Sequence, residues 1–357
     1  MQAAASVNAQ AMADASDDWV TLLAGSDRRG GVVAPRIDAP RDLLWRVVLP
    51  DVVRSSPVLG GATLYVTCRD GLLYALDAAS GRARWTFDAG SALRSTPSLS
   101  GGRVLFGADD GRVYAVDRSS GRVSWKASLG GEVWTSPVVL RTLVYAGTTS
   151  GVFAAVDGET GRVVWTRTFD ERITSTPYAT ADAVYVGTAA GTVRALDPRT
   201  GRDVWVRQVP DSVCGAPALA DGVLVIASED FTVRALDART GDERWMVETE
   251  LGVIASPAVG AGKAFVGGKD GYFYAIDVRT GALAWKTPDI RTITSPAVVV
   301  GTMVCIQTYY GATRAYHVET GEPLWVTNLG GSLASAPILT PDAIYLVTER
   351  GIVYALG

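Results

Sequence analysis

Ala75-Leu76-Asp77-Ala78-Ala79-Ser80-Gly81-Arg82-Ala83-Arg84-Trp85 decides the fold, because its pattern returns every 40 residues. It recurs clearly as Ala195-Leu196-Asp197 through Trp205, Ala235-Leu236-Asp237 through Trp245, and Ala275-Ile276-Asp277 through Trp285. Working outward, Trp stands at 45, 85, 125, 165, 205, 245, 285 and 325. Asp stands at 77, 117, 157, 197, 237 and 277, with His317 in the seventh place. One Gly series runs from Gly81 to Gly321; another runs from Gly71 to Gly351 and is broken once, by Phe231. Pro recurs from Pro57 to Pro337, and Pro296, one residue early, reads as a compensated slip in blade 7. A fixed period of this length marks a repeat architecture in which each unit packs only on its neighbours.

Each period reads as four short strands. In the first they are Arg54–Leu59, Thr63–Cys68, Leu72–Asp77 and Arg82–Phe87, separated by turn signals such as Gly60-Gly61 and Asp70-Gly71. Strands of about six residues spaced by about ten suit four-stranded blades. The last period stops after its third strand, and 41–49 supplies an unpaired fourth strand with Trp45. Pairing the two ends closes an all-β, eight-bladed β-propeller of antiparallel blades. Blades 1–7 are expected at 51–90, 91–130, 131–170, 171–210, 211–250, 251–290 and 291–330; 331–357 joins 41–49 in blade 8. Residues 1–40 form a leader, disordered in part or packed on one face, where they would be placed to cover the channel.

The A-x-D-x-x-T-G-x-x-x-W pattern resembles the tryptophan-docking motif of the pyrroloquinoline-quinone-like (PQQ-like) β-propeller repeat family. That family includes quinoprotein alcohol dehydrogenases and the propeller of the bacterial outer-membrane assembly lipoprotein. The resemblance covers residues 41–357 and implies a bacterial propeller that serves either as a quinone-dependent dehydrogenase or as a scaffold. The dehydrogenases carry adjacent Cys pairs beside their cofactor, whereas Cys68, Cys214 and Cys305 are far apart here. No cofactor is expected.

Composition narrows the classes further. Forty-eight per cent hydrophobic residues indicate a large core, and a net charge of −4 with no basic run argues against nucleic acid. No apolar run is long enough to span a membrane. The first 20 residues hold no Lys, Arg or apolar h-region, so the expected location is cytoplasmic, or secreted if a signal has been removed. One His in the chain leaves little room for His-based metal or triad chemistry. His317 reads as a turn cap.

Function is sought where the repeats differ. The residue three before each Pro should line the channel mouth: Arg54, Arg94, Trp134, Thr174, Cys214, Ile254, Ile293 and Ala334. The second-to-third strand turns should add Arg69, Asp109, Thr149, Ala189, Glu229, Lys269, Tyr309 and Glu349 on the same face. This mouth is cationic and aromatic across blades 1 to 3 and apolar across blades 5 to 8. It suits a ligand with an anionic or carbonyl end and an apolar body. Two readings follow. The first is a monomeric scaffold or binding propeller that takes a small molecule or a protein partner at the mouth. The second is a cofactor-independent cyclase, isomerase or lyase, with Glu132 beside Trp134 as acid or base.

Overall fold

A computed structural model describes residues 42–288, 291–333 and 335–357. The leader, 1–40, lies outside them, as does Ala334. Among the described residues there are eight four-stranded antiparallel sheets and no helix, so the fold is an eight-bladed β-propeller. The chain opens with β1 (Leu43–Val48). Blade 1 then runs, from the channel outward, β2 (Val58–Gly60), β3 (Thr63–Thr67), β4 (Leu72–Asp77) and β5 (Ala83–Asp88). The ring closes because β1 pairs with Ile352–Leu356, Trp45 opposite Ala355 and Val48 opposite Ile352.

The core lies between blades. The two middle strands of a blade are buried on both faces, whereas the outer strands alternate between exposed and partly buried positions. Val58, Tyr65 and Leu73 of blade 1 pack with Leu99, Val104 and Phe106 of blade 2 in one cluster. The outer strand of every blade keeps an unpaired edge, and charged residues such as Arg84 and Lys126 stand exposed on it, which discourages edge-to-edge pairing.

Each docking Trp crosses to the next blade. The Trp45 indole N–H donates to the Ala78 carbonyl at 2.9 Å, and Trp245 does the same to Val278 at 2.8 Å. A Cβ on Gly81 would come within 2.6 Å of the Trp45 ring, and Gly81 has φ 69°, so both space and backbone demand glycine there. Burying one such Trp is worth at most about 5 kcal/mol. The series breaks at Trp325, whose buried Nε1 has no hydrogen-bond partner among the described residues. In blade 8, Asp42 and Gly357 exchange backbone hydrogen bonds.

The Asp residues cap these turns as expected. Asp117 Oδ1 accepts from the Ser119 and Ser120 hydroxyls and both backbone N–H groups. These bonds, that from the Ser119 hydroxyl first, pull its carboxyl down to about 2. His317 fills the same role less fully, accepting the Glu319 N–H on Nδ1 at 3.3 Å.

Two expectations need correction. The innermost strand is shorter than Arg54–Leu59, beginning only at Val58. Its lead-in instead lines the channel and hydrogen-bonds to the next blade. The Ser56 N–H donates to Thr96 Oγ1, the Thr96 N–H to Ser136 Oγ and the Ser136 N–H to Thr176 Oγ1; the Ala216 N–H donates to Ser256 Oγ, and the Ala336 N–H joins blade 8 to Ser56 Oγ of blade 1. Blade 7 also has no slip. Ser295 exchanges hydrogen bonds with the Gln307 backbone as Ser95 does with Gly107, so the 40-residue frame is intact. Pro296 stands in the slot of Ser256, and Ala297 in that of Pro257. Ile293 therefore aligns with Val253, and both are fully buried.

Candidate functional site

Backbone hydrogen bonds build the mouth. The N–H groups of Arg69, Asp109, Thr149, Ala189, Glu229, Lys269, Tyr309 and Glu349 donate to the carbonyls of Val52, Ala92, Glu132, Arg172, Ser212, Gly252, Thr292 and Ser332. Each second-to-third strand turn is thereby stitched to the loop that enters its own blade, and both sets of residues share one face. Arg54 is exposed, while Arg94, Trp134, Thr174, Cys214 and Ile254 are half-buried. Ile293, expected in this ring, belongs instead to the core beneath it. Thr294 takes its place, with its hydroxyl buried and unpaired.

Blades 2 to 4 hold a connected cluster. Arg94 Nε contacts both oxygens of Asp109, at 2.8 and 3.1 Å. The Trp134 indole N–H donates to Asp109 Oδ1 at 3.1 Å. Two guanidinium carbons lie over the Trp134 ring, those of Arg94 at 4.9 Å and Arg172 at 5.4 Å from its centre. An indole so placed attracts cations through its π face and holds them ready for an anion. The carboxylate against Trp134 is therefore Asp109. Glu132, expected there as acid or base, is half-buried and accepts a long bond, 3.4 Å, from the Thr149 hydroxyl.

Ion pairing divides the mouth. Among the described residues neither Arg54, Arg69 nor Arg172 has an ion-pair partner, and Arg69 Nε is buried without a hydrogen bond. Across blades 1 to 4 the two rings carry Arg54, Arg69 and Arg94 against Asp109, and the entering loops add Arg172 with Asp51, Glu132, Asp170 and Glu171, of which Glu171 accepts from the Thr188 and Thr192 hydroxyls. Across the ring, Lys269 and Glu229 neutralise each other at 2.6 Å. Cys214 lies 2.9 Å from the Ser212 hydroxyl and receives a bond from Thr174 at 3.6 Å. Tyr309 is exposed and stacks edge-on against Tyr310, which Arg291 covers at 4.6 Å; Glu349 is half-buried at blade 8. The other two thiols are buried, and burial pushes Cys68 up to about 11.

Two features escape a reading by residue type. Arg172 belongs to the cluster because the loops entering blades 3 and 4 lie side by side, and only the ring arithmetic 132, 172 signals it. Phe231 has φ 66°, the left-handed conformation that its seven Gly counterparts adopt freely, yet its side chain is 51% exposed. Such a backbone costs a non-glycine residue roughly 1–2 kcal/mol.

The residues present do not fit a bound quinone. Asp109 is already engaged by Arg94 and Trp134, and Cys214 has a hydroxyl, not a second thiol, beside it. Among the described residues no group of three His, Cys, Asp or Glu is placed to hold a metal ion. The mouth sets guanidinium groups without ion-pair partners among the described residues beside a flat aromatic surface.

Comparison with known proteins places this geometry. The family model described as outer membrane protein assembly factor BamB matches residues 29–176, 109–212 and 154–357. No curated protein matches the chain. Among solved structures, BamB from Moraxella catarrhalis is 20% identical, with a TM-score of 0.77 over 88% of this chain and 99% of its own. A quinohemoprotein alcohol dehydrogenase from Comamonas testosteroni is 18% identical, with a TM-score of 0.79 over 99% and 83%. The computationally designed Ika8 protein is 16% identical, with a TM-score of 0.77 over 87% and 97%. At these identities the structures share the propeller alone, whereas the family model spans nearly the whole ring. The chain belongs to the family of the outer membrane protein assembly factor BamB, with PQQ-like blades.

Proposed function

We propose that this propeller is a binding scaffold whose recognition site is the cationic and aromatic sector of the mouth, taking a carboxylate-bearing ligand or partner segment. One observation carries the reading. Arg172 lies over Trp134 without an ion-pair partner among the described residues, beside an Arg94–Asp109 pair that fixes the indole. Asp109 orients Trp134 and neutralises Arg94, so Arg172, with Arg54 and Arg69 in blade 1, is left to meet an anion. An arginine fork matches a carboxylate in two bonds, and a half-buried indole strengthens them by displacing water. Across the ring, Lys269 and Glu229 neutralise each other and do not compete for that anion. The family's scaffold member agrees with this reading.

The test is a thermal-shift screen of carboxylic acids, each paired with its methyl ester. Acids raise the melting temperature of the wild-type protein while their esters do not, and Arg172→Ala or Trp134→Ala removes the response. Acids and esters acting alike, or both variants responding as wild type does, would contradict the assignment.

A further inference from the structure

Two departures from the repeat meet at one place. Phe231 is the single non-glycine residue at its position in eight blades, and Leu251 is the single apolar residue at its own, where the other blades carry Asp51, Ser91, Gly131, Glu171, Asp211, Arg291 and Gly331. They sit at the junction of blades 5 and 6, on the mouth face. Thr249 joins them: its N–H donates to the Phe231 carbonyl at 2.8 Å and its hydroxyl to the Leu251 carbonyl at 2.8 Å. In blades 3 and 4 a Cβ at this turn would crowd the neighbouring loop, coming within 2.1 Å of the Phe169 carbonyl at Gly151 and 2.4 Å of the Val209 carbonyl at Gly191. Phe231 thus holds a backbone that resists a side chain, and its ring is exposed to water. Leu251 beside it is 48% exposed. Neither residue gains core packing to offset this.

We propose that this junction is a protein-docking anchor, where Phe231 and Leu251 receive an apolar side chain from a partner segment whose flanking Lys or Arg residues meet Asp211 and Glu250. The charge follows from the rim. Asp211 is exposed with no ion-pair partner among the described residues, and exposed Glu250 has only Lys286, at 3.8 Å, while Asp230 and Glu229 are closely paired with Arg234 and Lys269. Exposed carboxylates repel an anionic lipid surface, so a protein segment fits better than a membrane. Buried aromatic anchors ringed by polar contacts are how such interfaces concentrate their affinity. This proposal rests on the reading of the propeller as a scaffold, but it uses none of the residues that bind the carboxylate.

The experiment uses twelve-residue peptides with a central Leu or Phe flanked by Lys/Arg, by Asp/Glu or by Ser/Gly, read by fluorescence anisotropy. Basic-flanked peptides bind wild-type protein and bind Phe231→Gly and Leu251→Ser at least tenfold more weakly. Phe231→Gly also melts about 1–3 °C higher, because the strain is gone. The acid-versus-ester response of the mouth is measured on the same Phe231→Gly protein, so loss of one without the other tells the two sites apart. The proposal fails if no basic-flanked peptide binds wild type, or if both variants bind as wild type does. It also fails if Phe231→Gly melts lower, or if Phe231 governs binding to phosphatidylglycerol vesicles and not to peptides.

Discussion

The two faces of the ring obey different rules. On the docking face the same Asp, Gly and Trp recur in blade after blade, because each turn solves one problem: it caps its own backbone and receives the indole from the blade before. On the mouth face the backbone repeats equally well, through eight identical N–H to carbonyl bonds, but the side chains do not. Uniform backbone with divergent side chains is what a scaffold presents when stability and recognition are carried on opposite sides. The contrast separates residues whose loss should unfold the protein from residues whose loss should leave it folded and unable to bind.

The largest effect is expected on the docking face. Trp245→Ala should cost about 3–5 kcal/mol in urea denaturation, the usual range for emptying a large aromatic site. Trp325→Ala should cost about 1 kcal/mol less, since its indole makes no hydrogen bond that could be lost. Equal losses at the two positions would show that the docking bond adds nothing. On the mouth face, Phe231→Gly should stabilise by about 1–2 kcal/mol in the same assay. Trp134→Ala should lie within about 1 kcal/mol of wild type, because the ring is half-buried and belongs to none of the inter-blade core clusters. A loss at Trp134 as large as at Trp245 would erase the distinction between faces.

The smallest effect concerns acid. The Asp117 carboxyl is held at about 2, below its ordinary 3.8, so its contribution is complete above that ordinary value and fades as pH falls towards 2. Asp117→Asn keeps an acceptor and removes the charge. The melting temperatures of wild type and Asp117→Asn should therefore differ near pH 6 and converge near pH 2. A gap that widens on acidification would reverse the sign of this linkage.

Most of the architecture was legible because the repeat is chemical as well as numerical. Asp, Gly and Trp hold their places for separate physical reasons, and each reason survives in the structure. Pro296 does not mark the frame of blade 7. The frame is kept by Ser295, whose hydroxyl bonds the Gln307 backbone, and a Pro can move one place in a lead-in that needs no ladder N–H. Counting from Pro296 points to Ile293 at the mouth, whereas Ile293 is buried and Thr294 takes that place. The charged sector was legible as a list, with Arg54, Arg94 and Trp134 in adjacent blades. Its wiring was not. That Asp109 and not Glu132 holds the indole depends on which turn reaches across to the next blade, and side-chain reach of that kind leaves no trace in spacing. Phe231 was visible as an exception to a glycine series, but only its φ and exposure show that the exception carries strain without burial.

The most direct measurement is calorimetric. The dissociation constants of one acid from the screen and its methyl ester are compared on wild type and on Arg172→Ala, a cycle that isolates the contact between carboxylate and guanidinium. A cationic mouth predicts that the acid binds wild type at least tenfold more tightly than the ester, and that this preference collapses in Arg172→Ala. An unchanged preference for the acid in Arg172→Ala would contradict it.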